Sequence, residues 1–201
     1  LAGRETVNVA LDTVVVRPGF YLETNVDAGP MRVVLGTRVD YFGEINQWVF
    51  NPRLSVMGAV TETLRLKAAA GLYSQPPEFN ESNDVIGNED LEPIHSAHFG
   101  AGVDWDFHPG MTMGVEGFYK PLWNRVVAIQ GGVEPYFENG GRGRIYGMEL
   151  SARINPDHGT YVGYLSYTLS RSERLDQPSD PDDEWRLFDF DQTHILTLSF
   201  T

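Results

Sequence analysis

Residues 97–108 read AHFGAGVDWDFH. Taken alternately, one set is Phe99, Ala101, Val103, Trp105 and Phe107, and the other is His98, Gly100, Gly102, Asp104, Asp106 and His108. Side chains that share a side at every second residue have the geometry of an extended chain, so the stretch predicts a β-strand with one apolar and one polar face. The pattern recurs outward from there. Over 145–154, Tyr146, Met148, Leu150, Ala152 and Ile154 oppose Gly147, Glu149, Ser151 and Arg153. Over 32–42, Val33, Leu35, Val39 and Tyr41 oppose Arg32, Arg38 and Asp40, and over 64–73, Leu64, Leu66, Ala68, Ala70 and Leu72 oppose Arg65, Lys67 and Tyr73. Further strands read at 20–27, 51–61, 111–120, 160–170 and 193–200, with a weaker segment at 5–16. Helix-period stretches are absent. The total is about ten strands, many near the ~9–11 residues with which a tilted strand crosses a bilayer.

The connections carry a second signal. Tight turns are expected at 28–30, 61–63, 109–110 and 155–159, and longer connections at 43–49, 75–96, 124–142 and 171–188, so that short and long alternate along the chain. An antiparallel up-and-down transmembrane β-barrel with short periplasmic turns and long extracellular loops has this organisation. A soluble sandwich, or a barrel with its apolar face inside, gives the same period of two with the faces exchanged. The shared connection pattern favours the membrane barrel. So do aromatics near strand ends, such as Tyr41, Tyr73, Trp105, Phe107, Tyr119, Trp123 and Phe200, and polar faces that mix charges with glycine.

With 28 acidic and 15 basic side chains in 201 residues, the formal charge is -13, and no basic stretch offsets it. A phosphate backbone would be repelled, which argues against nucleic acid as a partner. No cysteine is present, which excludes disulfides, thiol catalysis and thiolate zinc sites. Residues 78–92 hold six acids and no base, and 173–191 hold eight acids against Arg174 and Arg186, so the acidity belongs to loops and the strand framework is nearly neutral. The first residues show neither a charged n-region nor an apolar h-region. We therefore expect that processing or truncation has removed the start.

Enzyme signatures are absent: there is no Gly-x-Ser-x-Gly elbow, no phosphate-binding Gly-x-x-x-x-Gly-Lys-Ser/Thr and no His-Glu-x-x-His. Gly141, Gly143 and Gly147 precede a strand, which reads as a turn entering the wall and not as a nucleotide loop. His95 and His98 fall on opposite faces of a strand, against a metal pair. Asp104 and Asp106 share a face; a hydrated lumen wall accounts for them better than an acid–base pair. Residues 80–90 do not have EF-hand spacing. No catalytic residue, metal or cofactor is expected. The ligand-facing lumen candidates are Arg32, Arg38, Asp40, Arg65, Lys67, His98, Asp104, Asp106, Glu116, Lys120, Glu149 and Arg153. Loop candidates are Glu89, Asp90, Asp182 and Asp183, whose negative field could draw a cation, with Trp123, Tyr136, Phe137 and Trp185 beside them.

Several runs resemble one family in order and spacing. They are Asn51-Pro52-Arg53-Leu54-Ser55, the 68–77 run AAAGLYSQPP, the 87–93 run GNEDLEP, Gly117-Phe118-Tyr119-Lys120, the 139–150 run NGGRGRIYGMEL, the 166–174 run SYTLSRSER and the 190–196 run FDQTHIL. Together they resemble the barrel of TonB-dependent outer-membrane receptors. The resemblance implies a 22-stranded barrel with a plug, energised by the TonB complex and importing siderophores, vitamins, sugars or other scarce nutrients. It also implies contact with outer-membrane lipid and lipopolysaccharide. No stretch reads as the plug, and the final strands are not seen, so residues 1–201 are expected to be a central part of such a barrel. The alternatives are a standalone small barrel acting as a pore or adhesin, and a soluble β-sandwich that binds ligand.

Overall fold

In a computed structural model, residues 14–83, 87–129, 136–155, 161–177, 180 and 182–201 are described. The strands are β1 (Gly19–Ala28), β2 (Met31–Phe42), β3 (Gln47–Ala59), β4 (Leu64–Gln75), β5 (Ile94–His108), β6 (Met111–Ala128), β7 (Phe137–Ile154), β8 (Gly163–Leu175), β9 (Arg186–Leu187) and β10 (His194–Phe200), with a one-turn helix α1 (Phe79–Ser82) between β4 and β5. All belong to one antiparallel sheet in the order β1-β2-β3-β4-β5-β6-β7-β8-β10, and β9 pairs with the upper end of β8. Among the described residues no second sheet packs on it, and its apolar side chains stay open: Leu35, Leu54, Phe99, Leu150 and Leu198 are all exposed. A sandwich would have buried these, so the soluble alternative fails.

Register assigns the faces. One continuous row runs Arg32, Met57, Lys67, Gly102, Glu116, Glu149 and Thr168 across β2 to β8; the next runs Met31, Gly58, Leu66, Val103, Val115, Leu150 and Tyr167. Partners in register point the same way, so alternate rows are polar and apolar over the whole sheet. At the end with short turns, Pro109 and Gly110 connect β5 to β6; Gly110 has φ 74°, the second corner of a type II turn, where a Cβ would be strained. Trp105, Phe107, Tyr161 and Phe200 lie at this end. Tyr41, Trp48, Tyr119, Tyr146 and Trp185 lie towards the other, as two aromatic belts would.

Three expectations change. The β2–β3 connection spans only residues 43–46, as short as the 60–63 turn, because pairing runs on to Phe42 and Gln47; strict alternation of loop length fails there. β6 and β7 continue well beyond 120 and 145, so 124–128 and 137–142 are strand and not loop, and Gly141 and Gly143 lie inside β7. The segment 5–16 falls mostly outside the described residues, and 14–16 are not strand; β9, unforeseen, restores the number to ten. Among the described residues the buried apolar groups gather at the long-loop end of the wall, as Phe42, Ile45 and Val49, with Leu91 and Pro77 fully buried within the 76–93 connection.

Candidate functional site

All twelve lumen candidates share the polar face. Arg32 pairs with Asp27 at 2.8 Å, Arg38 with Asp40 at 2.8 Å, and Arg65 with Asp106, which also accepts from the Thr112 hydroxyl at 2.7 Å. Lys67 lies between Asp104 at 3.3 Å and Glu116 at 3.0 Å. Glu116 is two strands away from Lys67, with Gly102 between them in register. A Cβ on Gly102 would come within 2.9 Å of Lys67 Cε, so the missing side chain is what lets the ammonium cross β5. Glu149 accepts from Ser166 at 2.9 Å, and Arg153 is in register with Thr112 and Tyr164. The Asp104–Asp106 pair is thus neutralised by Lys67 and Arg65, which leaves no free acid–base couple.

Between the Arg38–Asp40 pair and the Lys67 row the chemistry changes. Arg53, Gly71 and His98 lie in one row; the Arg53 guanidinium sits 5.2 Å from the Tyr73 ring centre, and His98 stacks on that same ring at 4.2 Å. Lys120 reaches over Phe118 at 5.1 Å. Among the described residues Arg53 and Lys120 have no ion-pair partner. Glu23, Arg53, His98, Lys120, Glu149 and Thr168, drawn from β1 to β8, line one cavity of about 530 Å³. A flat sheet would spread those strands over ~34 Å, so their convergence requires the sheet to curl with the polar face inside. His95, by contrast, lies beside Trp123 at 5.5 Å and exchanges a hydrogen bond with Ser74 at 2.9 Å, away from His98. Among the described residues no cluster of three or more His, Asp or Glu side chains has a metal-binding arrangement.

The loop candidates form a fastened rim. Asn139 donates to the Glu92 carbonyl at 3.0 Å and to the Asn124 carbonyl at 2.9 Å, accepts from the Glu92 N–H at 2.7 Å, and Asn124 donates to the Glu92 carboxylate at 2.8 Å. Asn88 donates to the Phe137 carbonyl at 2.8 Å, and Glu89 and Asp90 stand exposed beside it. The Tyr136 carbonyl accepts from Ile129 at 2.9 Å, closing the described part of the β6–β7 hairpin. In the second acidic loop Asp183 accepts from the Gln177 N–H at 2.5 Å, and Asp182 donates its N–H to the Asp180 carboxylate at 2.9 Å. Asp176 binds Arg186 at 2.6 Å and Arg125 at 3.3 Å. Burial works against the Asp176 carboxylate, but those two guanidiniums outweigh it and hold its carboxyl below the usual range.

A family model described as TonB dependent receptor-like, beta-barrel, matches residues 4–200. The chain belongs to that family. Barrels of TonB-dependent receptors lie in the outer membrane. Among solved structures, the ferric-catecholate import receptor Fiu from E. coli K12 aligns over 92% of this chain and 31% of its own, with a TM-score of 0.72 and 15% identity. The siderophore receptor PirA from Pseudomonas aeruginosa covers 79% of this chain and 35% of its own, at 0.64 and 18%. The FrpB iron transporter from Neisseria meningitidis covers 81% and 27%, at 0.62 and 14%. The chain therefore spans about a quarter to a third of these structures. No curated protein matches this sequence. In this TonB-dependent barrel wall Arg53 was missed by sequence reasoning, although its alternation with Asn51 and Ser55, opposite Pro52, Leu54 and Val56, carried the signal.

Proposed function

We propose that residues 1–201 form part of the wall and extracellular vestibule of a TonB-dependent importer that takes up a scarce nutrient such as siderophore-bound iron. The carrying observation is that Arg53 and Lys120, beside His98 on the curled polar face, have no ion-pair partner among the described residues, whereas Arg32, Arg38, Arg65 and Lys67 each hold a carboxylate. Cations held in a confined, partly desolvated lumen attract the anionic groups of a ferric chelate, or the carboxylates of a plug. The family match and the iron and siderophore receptors among the structural neighbours support the same reading. The small-molecule ligand, the plug and the TonB complex are the partners this function requires.

The test uses the full-length receptor in iron-starved cells, with uptake of radiolabelled iron measured across a panel of ferric siderophores. One chelate is expected to enter only with the receptor present and only while the proton gradient that drives TonB is intact. Arg53→Ala with Lys120→Ala should reduce that uptake severalfold without reducing the amount of folded receptor. Uptake indifferent to the proton gradient would replace the importer with a passive pore.

A further inference from the structure

The lipid-facing side of β6, β7 and β8 changes character abruptly. On β7 the outward residues from Ile154 through Ala152, Leu150 and Met148 to Tyr146 are uncharged over roughly 20 Å of height. Tyr146 faces Tyr119 on one side and Arg171 on the other, so the first outward charge stands in the tyrosine row itself. One step higher come Arg144 and Glu173, paired in register, and one step above that Arg142.

These groups are built and not merely adjacent. The Glu173 side chain is only 5% exposed, and each of its oxygens holds one guanidinium, Arg144 through Nε at 2.6 Å and Arg171 through Nε at 2.6 Å. A guanidinium has five donors in a rigid fork, so both arginines keep their terminal N–H groups for another acceptor. Trp185 braces Arg144 from the side, 4.2 Å from ring centre to guanidinium carbon. The Arg142 side chain is exposed and has no partner among the described residues. Asp191, held on the Ser172 N–H at 2.7 Å, is a second carboxylate within reach of the Arg171 charge, so the three arginines exceed the two carboxylates by one, in a chain whose total is -13. Beside them is a depression of about 600 Å³ lined by Tyr119, Pro121, Trp123, Arg142, Arg144 and Trp185.

We propose that Arg142, Arg144 and Arg171 form a binding site for the phosphates of the phosphorylated glycolipid in the outer leaflet. Height, face and charge all agree. The cluster faces lipid and not the lumen, it begins where the apolar band ends, and it lies at the end with the long connections, which in a receptor barrel is the outside. Bidentate forks suit phosphate oxygens, and the tyrosine row beneath would lie against the acyl chains. The inference rests on the wall's place in the outer membrane and not on import.

Native mass spectrometry of the full-length receptor in detergent, titrated with bisphosphorylated lipid A, tests it. The wild type is expected to retain lipid A, and Arg142→Gln with Arg144→Gln to bind it roughly 30-fold more weakly. Dephosphorylated lipid A should bind the wild type as weakly as lipid A binds the variant. Arg142→Gln alone, which orphans no partner, should weaken binding about fivefold and guards against misfolding of the double variant. Equal affinity of variant and wild type, or indifference to dephosphorylation, overturns the site. Inorganic phosphate alone binding as tightly as lipid A overturns the lipid assignment in favour of a free-anion site. Iron uptake is followed in parallel: a fall in uptake with lipid A binding unchanged assigns the arginines to the ligand path instead. Arginine-dependent lipid A binding in a receptor that imports no iron upholds this site while the import proposal fails.

Discussion

A single absent side chain organises the lumen ladder. Gly102 leaves the gap through which Lys67 reaches Glu116 across an intervening strand, and the same ammonium serves Asp104. Lys67→Met leaves Asp104 and Glu116 without the ammonium that they share, with only Arg65 still close to Asp104. The expected cost is about 1 kcal/mol after solvent screening, recovered in part by adding Glu116→Gln, as measured by urea unfolding of the full-length receptor in lipid vesicles. Leu150 and Thr168 test the faces. Leu150→Arg puts a charge at mid-depth in lipid and should cost about 2–4 kcal/mol, whereas Thr168→Arg, in the cavity and in register with Glu149, should cost less than about 1 kcal/mol. Equal costs would mean that the faces are reversed. Alternation alone placed Lys67, Asp104, Glu116 and their companions on one side of the wall, because a period of two is written residue by residue. Which of them neutralise one another was not legible, since that depends on a register between strands that no local pattern records.

At the scale of elements, the long-loop end is where sequence and structure part. β6 and β7 rise past the apolar band as a continued hairpin, yet Asn124 sits at φ 55° in the first of two register shifts, and Gly140, Gly141 and Gly143 carry no side chains to display alternation. A bulge erases the period while the ladder itself continues. The acidic 76–93 connection was legible as a loop from its Pro and Asn content, but not its attachment through Asn139. Asn139→Ala removes three hydrogen bonds that fasten Glu92 and Asn124, and should increase hydrogen exchange over residues 87–93 roughly tenfold at neutral pH without unfolding the barrel. Exchange unchanged there would mean that the loop is held by other contacts. Asp176 gives the neighbouring loop a pH dependence. Its carboxyl is held below the unfolded value, so its contribution is complete above the unfolded range and is lost as pH falls through the folded one, that is, below about pH 4. Exchange over residues 182–189 should therefore stay flat from pH 7 to 5, once corrected for intrinsic rates, and accelerate in stronger acid. Asp176→Asn should show the accelerated rate already at pH 7.

For the whole molecule the decisive property is that the sheet has two faces and two edges, and that only one face is served by protein. Most charges of the polar face pair with one another, the charge of -13 is concentrated in the rim connections, and the apolar face is left open. The edges are a separate matter. Among the described residues β1 and β10 each present one unpaired row of backbone N–H and C=O groups, and hydrocarbon offers such rows no partner. Each unsatisfied group costs several kcal/mol in that medium, more than any side-chain interaction described here contributes. A polypeptide of residues 1–201 alone, refolded in detergent, is therefore expected to pair β1 or β10 with another copy and to run as a mixture of oligomers. Supplying flanking barrel strands in the same chain should restore a single species. Light scattering after size exclusion separates the two, and a monodisperse folded monomer of 22.5 kDa would show that the sheet closes on itself by a pairing of β1 with β10 that the present register does not contain.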